Sequence, residues 1–298
     1  MTRLLNANFA RLFRSKLFWI CAAASVALGL IEVIPKAINL IGTKDHLNPE
    51  KYLINPGSFM SWFVMLVITA IFVGIFVGAE HSGVLRNKII AGQRRGSVYM
   101  ANLITAITGV LIFQILFAAT VLLTGIIMGG EFILSFETIA FYELLQFISL
   151  IGLCAFFTAI TMLIPQKLAG AIAALVLVVG FYIIDICVDG ALYPLQLEDY
   201  VTDEETGKIT IIERTDYTDE ERLQLNVLTF LKRTNPLGQD SIIRKNYSET
   251  YYNTLYRLEG LNYQEIPHAP TETIPYSLGV IAVSTLVGTL VFRKKDLR

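Results

Sequence analysis

Six apolar runs, each long enough to cross a lipid bilayer as a helix, leave this chain few ways to fold. They cover residues 17–34, 59–79, 98–128, 139–164, 168–187 and 276–292. A hydrocarbon core about 30 Å thick takes roughly 20 helical residues at about 1.5 Å each. Lipid offers no hydrogen bonds to a bare backbone, so such runs must form helices. The expected fold is therefore an all-α polytopic membrane protein with six transmembrane helices. Charged residues make up 16% of the chain, against about a quarter in soluble proteins. The first run follows a basic stretch, as in a signal peptide. That stretch is long, no small-residue cleavage site follows, and Glu32 and Pro35 end the run instead.

Cations in the short connections set the orientation. Arg3, Arg11, Arg14 and Lys16 precede the first run, and Arg86, Lys88, Arg94 and Arg95 follow the second. Lys167 follows the fourth, and Arg293, Lys294, Lys295 and Arg298 follow the last. These positions alternate, so they fall on one face, which the charge rule makes cytoplasmic. Both termini are expected inside, in a multi-pass protein of the plasma membrane.

Three parts are expected along the chain: residues 1–187 with the first five spans, an outward insertion over 188–275, and the last span with its basic tail over 276–298. The insertion carries sixteen acids against eight bases. LEDYVTDEETGKITIIERTDY alternates as two short strands around a turn at Glu204 to Lys208, where Gly207 can take a positive φ. Thr218 and Glu221 form a capping box that opens an amphipathic helix through Leu223, Val227, Leu228 and Leu231. Asn235-Pro236-Leu237-Gly238 ends it. A second helix is expected from Ser248. Its Tyr251, Tyr252 and Tyr256 suit either the lipid headgroup layer or packing inside a small α+β insertion. The acidic run at Asp203 to Glu205 reads as a solvated turn.

Catalytic patterns are missing. The chain contains no H-E-x-x-H, C-x-x-C, G-x-S-x-G or Walker A string. The three cysteines, Cys21, Cys154 and Cys187, fall in or beside apolar runs and read as small buried hydrophobes. Glu32, Glu143 and Asp185 lie near the outward ends of their spans. Each either reaches the interface or caps a helix, or else lines an outward cavity. Gly74 and Gly78 form a GxxxG face for close helix packing, and Gly170, Ala171, Ala173 and Ala174 offer a second.

Between the second and third runs stands EHSGVLRNKIIAGQRRGSVYM. As a helix it would put Val84, Leu85, Lys88 and Ile89 on one face, with Gly92 at the C-terminal cap. Its pattern, E-x-x-G-x-L-R-N-x-x-x-x-G-x-x-R-x-x-x-Y, runs through Glu80, Gly83, Leu85, Arg86, Gly92, Arg95 and Tyr99. It resembles the permease subunits of ABC-2 type ABC transporters. NFARLFRSKLFW at Asn8 to Trp19 resembles that family's N-terminal interface segment, and TNPLGQ at Thr234 to Gln239 a stretch before its last span. The large insertion departs from the family's shortest members.

The resemblance implies a transport subunit rather than an enzyme. Two permease chains, identical or not, would pair in the bilayer, with two separate ATP-binding subunits docked below them. ATP and Mg would sit on those partners, and this chain would bind no cofactor, metal or nucleic acid. The segment after span two would be the coupling helix. In it Val84, Leu85 and Ile89 would form the docking face, Arg86 and Lys88 the charged rim, and Glu80 a polar anchor. Amphipathic peptides, lipids and drugs are the implied cargo, and export the implied direction. Two other readings stay open: a gradient-driven carrier or channel, and a membrane sensor or assembly protein with a ligand-binding outward insertion.

Overall fold

The computed structural model of the chain describes residues 2–42, 59–81, 84–128, 134–164, 166–195, 199–202, 209–212, 216–258 and 270–294. The Glu204–Lys208 turn, the acidic run 203–205 and Gly83 lie outside the described residues.

α1 (Thr2–Arg14) is a short amphipathic helix. Leu4, Asn8 and Leu12, four residues apart, form its buried stripe. It breaks at Ser15, and the indole of Trp19 bonds back across the break to the Phe13 carbonyl at 2.9 Å. α2 (Lys16–Gly42) follows, with Pro35 inside it. α3 (Phe59–Gly78) leads through a 3₁₀ turn, Ala79–His81, to the short α4 (Val84–Ile90). The long helices α5 (Arg95–Ile127), α6 (Phe136–Leu163) and α7 (Lys167–Leu192) complete the first part.

Among the described residues, five helices are long and apolar enough to cross a membrane: α2, α5, α6, α7 and α10 (Thr273–Lys294). The described apolar stretch of α3 is the shorter Phe63–Gly78. The chain is thus a helical, multi-pass membrane protein. α2 packs on α5, α3 on α7, and α6 on α10.

Small residues set the closest approach. A methyl group built on Gly74 of α3 would lie 2.5 Å from the Ala171 Cα of α7. Lipid supplies no hydrophobic drive between helices, so close van der Waals contact supplies the attraction. Gly74 and Gly78 are both buried, and the expected second packing face contributes Ala171 to the same contact. An aromatic core fills the bundle: Phe113 meets Phe18 at 5.4 Å and Phe72 edge-on at 4.9 Å. Cys21 and Cys154 are buried and free, whereas Cys187 is free but exposed.

Beyond α7, β1 (Asp199–Thr202) pairs antiparallel with β2 (Ile209–Ile212), Asp199 opposite Ile212. α8 (Asp219–Thr234) opens with the capping box, in which the Thr218 hydroxyl and the Glu221 carboxylate bond reciprocally to backbone N–H groups.

α9 corrects one expectation. It spans Pro236–Leu258 and starts directly after α8, not at Ser248. Asn235 explains the early start. Its side chain accepts the Leu237 N–H at 3.2 Å, and Pro236 sits in the first helical position, where a missing N–H costs nothing. The same Asn-Pro pair that stops α8 therefore starts α9.

The α8–α9 junction sits deep. The Asn235 amide donates to the Phe181 carbonyl at 2.9 Å, and the Ser149 hydroxyl to the Pro236 carbonyl at 3.1 Å. Phe181 and Ser149 lie near the midpoints of α7 and α6. Ser149 is about 20 Å along the axis from the start of α6. α8 and α9 together form a hairpin whose tip is wedged among the spans.

Candidate functional site

The basic segments gather at one end of the bundle. Arg11 of α1 meets Glu80 after α3, and Arg95 at the start of α5 bonds to the Arg293 carbonyl of α10 at 3.0 Å. At this end the 3₁₀ turn aims the Glu80 carboxylate inward, where it is fully buried. One carboxylate oxygen pairs with Arg11 and with Lys88 of α4, each at 2.5 Å. The other accepts from the Asn102 amide of α5 at 3.1 Å. Asn8 closes the ring: its amide donates to Asn102 at 2.8 Å, and its oxygen accepts from Lys88 at 2.9 Å. Four elements, α1, the turn after α3, α4 and α5, thus meet on one anion.

The electrostatics of this knot are lopsided. Two cations share one carboxylate. Burial is the largest influence on Arg11 and on Lys88, and it lowers both pKa values, while the Glu80 charge pulls them back up. Arg11 adds a contact the ion pairs do not provide: its guanidinium rests over the Phe76 ring, 4.2 Å from the centroid. Phe76 stacks on Phe72 at 5.3 Å, so the knot runs directly into the aromatic core.

α4 ends as expected. Gly92 has φ of 81°, its N–H bonds to Ile89 at 2.9 Å, and the Gln93 N–H reaches Lys88 at 3.1 Å. This pair of bonds is a Schellman motif, which a side chain at Gly92 would strain.

The face of α4 differs from the expected one. Leu85 is 2% exposed and belongs to the chain's own core, and Ile89 packs half-buried against it. Lys88 turns inward to Glu80 instead of forming a rim. The side chains left facing outward are Val84, Arg86, Asn87 and Ile90, the last 73% exposed. The helix is held by its buried apolar side, so the free surface is the opposite one. Arg95 is half-buried and tied to α10, and Tyr99 is buried against Gly288.

The three acids expected near the other end occupy different surroundings. Glu32 is buried on α2. Glu143 of α6 accepts from Gln114 of α5 at 3.1 Å. Asp185 of α7 is buried one turn from Phe181, which receives Asn235, and one turn from Asp189, which pairs with Lys232 of α8. It therefore faces the hairpin.

Sequence reasoning missed Asp185's neighbours on α9. Asp240, also buried, pairs with Arg244 at 2.8 Å, and both interact electrostatically with Asp185. Asp185 Oδ1 and Asp240 Oδ1 have no hydrogen-bond partner among the described residues. The four-residue spacing of Asp240 and Arg244, beside the buried Ile243, Tyr247 and Tyr251, was the available signal. Of the tyrosines, Tyr251 packs inside and Tyr252 stays exposed, while the Tyr256 side chain lies outside the description.

No protein-family model matches this chain, and no curated protein matches it.

Proposed function

We propose that this chain is the membrane-spanning permease subunit of an ATP-driven ABC transporter of the ABC-2 type. In this reading α3 is the second of six spans, the basic end faces the cytoplasm of a plasma-membrane protein, and β1, β2, α8 and α9 belong to an α+β insertion on the outward side. Two permease chains pair, and separate ATP-binding subunits carrying ATP and Mg dock below. The cargo is an amphipathic peptide, lipid or drug, and the direction is export.

One observation carries the reading. α4 is pinned to α1, α3 and α5 through Glu80 while Val84, Arg86 and Ile90 remain free for a partner. A surface helix held only by flexible side chains would absorb a push. One tied by buried ion pairs and a Schellman cap passes it to the start of α5.

The test has two stages. Affinity purification of the tagged full chain should recover a second chain with a Walker A motif. Val84→Asp with Ile90→Asp should then release that chain without unfolding this one. A native complex with no nucleotide-binding chain would sink the proposal. Leu85→Asp is not the right probe, because it puts a carboxylate into the core.

The buried acids at the hairpin favour a second reading, a gradient-driven carrier. α9 brings Asp240 and Arg244 to the depth of the spans, where ionisable groups are costly unless used or paired. Transport by reconstituted chain alone, driven by a proton gradient without ATP, would select it.

A further inference from the structure

At the basic end, residues of α5 and α10 line a groove of about 760 Å³. Its mouth holds Arg94, Arg95 and Arg293. Arg95 is committed in part to the Arg293 carbonyl. No carboxylate among the described residues pairs with Arg94 or Arg293, and the Arg293 guanidinium lies across Gly96. Arg94 immediately precedes α5, and its side chain makes no cap bond. The first N–H groups of α5 have no acceptor within the helix, which adds to the positive potential there.

The groove changes character along α10. Thr289 lies one turn from Arg293, about 6 Å along the axis, and Thr285 about 12 Å. Leu286 and Leu290 are exposed beside them. Moving away from Arg293, Leu290, Thr289, Leu286 and Thr285 alternate along one side of α10, so guanidinium groups at the mouth give way to a wall of mixed hydroxyls and exposed leucines, as the phosphate of a glycerophospholipid gives way to its esters and acyl chains. The wall belongs to α10, a helix apolar enough to cross the membrane. A soluble protein or free anion could use the arginines but not the leucines.

We infer that this groove binds one anionic phospholipid from the leaflet at the basic end, its phosphate between Arg94 and Arg293 and an acyl chain along Leu286 and Leu290. The site joins the start of α5 to the end of α10, so an occupied groove adds to the contacts that Arg95, Gly96 and Tyr99 already make with α10. Binding concerns this chain and its lipid alone, whatever its partners, so its failure and the failure of the transport reading are separable.

Native mass spectrometry of the full chain in a mild detergent supplies the test. Dioleoyl phosphatidylglycerol, dioleoyl phosphatidylcholine and inorganic phosphate are titrated separately. The expected result is a saturable phosphatidylglycerol adduct, much weaker phosphatidylcholine binding and no tight phosphate adduct. Arg94→Gln with Arg293→Gln should weaken the phosphatidylglycerol adduct about tenfold or more, and more salt should weaken the wild-type adduct too. Arg3→Gln with Lys16→Gln removes the same charge elsewhere at this end and should leave the adduct unchanged. Arg94→Gln alone removes no cap or ion pair, so it folds and should give an intermediate loss. Equal phosphatidylcholine binding, tight binding of phosphate alone, an unchanged adduct in either glutamine variant, or equal loss in the control would each overturn the site.

Discussion

Glu80→Gln tests the knot at the basic end. The substitution keeps the shape of the side chain but removes the charge and replaces one acceptor oxygen by an NH2 donor; with the amide oxygen kept on Asn102, that NH2 faces the two cations. Arg11 and Lys88, which shared one carboxylate oxygen, then face a neutral amide. Breaking a buried pair by deleting one partner costs about 3–5 kcal/mol. The two cations are not sealed in: their side chains are 29% and 15% exposed. Each can swing partly into water, which places the cost near the lower bound, about 3 kcal/mol. Lys88→Met should behave differently. It leaves Arg11 and Glu80 as a balanced pair and removes a cation whose burial already opposes its charge, so its cost should be about 1 kcal/mol. Replacing Arg11, Glu80 and Lys88 together with methionine should restore most of the stability, because an apolar set needs no counter-charge. Unfolding in mixed detergent and sodium dodecyl sulfate micelles measures all of these on one scale. A Glu80→Gln loss under about 1 kcal/mol, or a Lys88→Met loss equal to it, would refute the claim that one carboxylate holds two cations.

Three further outcomes follow from the same structure. The folded-state pKa of Lys88 lies below its ordinary 10.5, so the unfolded chain binds more protons there and stability must rise as pH climbs toward 10.5; Lys88→Met should flatten that rise in the same micelles. Gly74→Leu drives a side chain into the Ala171 backbone and should cost at least about 1–3 kcal/mol, whereas Gly180→Leu, with open space around it, should cost little by thermal unfolding. Asp240→Asn strips Arg244 of its paired carboxylate, while Asp185→Asn neutralises a buried acid whose Oδ1 has no hydrogen-bond partner among the described residues; thermal melts should show the first destabilised and the second unchanged or more stable.

The spans were legible because lipid imposes a length and leaves the backbone one solution. The ends of α5, α6, α7 and α10 fall within a few residues of their apolar runs. Local signals were legible too. Gly92 as a cap and Thr218 with Glu221 as a capping box each rest on a few consecutive residues. The partners of Glu80 were not legible in this way. Asn8 and Arg11 lie about seventy residues upstream, and only the fold brings α1 across the ends of α3 and α5. A trace was present nonetheless: Asn8 sits between Leu4 and Leu12 on the buried stripe of α1. A polar side chain on an apolar stripe needs a buried partner.

α9 shows why depth is harder to read than topology. Its hydropathy is that of a surface helix, because Asp240, Arg244 and Lys245 outweigh Ile243 and Leu237 in any average. Averages treat each charge as free. In the structure Asp240 and Arg244 neutralise each other, Gln239 is satisfied by Arg233 and Ser277, and Asn235 reaches the Phe181 carbonyl. Once these groups are paired, what α9 presents to the bundle is Leu237, Ile243, Tyr247 and Tyr251, all buried. Asp185 and the second oxygen of Asp240 are what the pairing leaves behind. The two ends of the molecule therefore pose opposite electrostatic problems. At the basic end one anion serves two cations, and removing it is costly. At the hairpin Asp185 and Asp240 each keep a buried Oδ1 without a hydrogen-bond partner among the described residues, although Asp240 pairs with Arg244 through its other oxygen. A perturbation that stiffens the first should leave the second free to respond, because the aromatic core and the packed glycines lie between them.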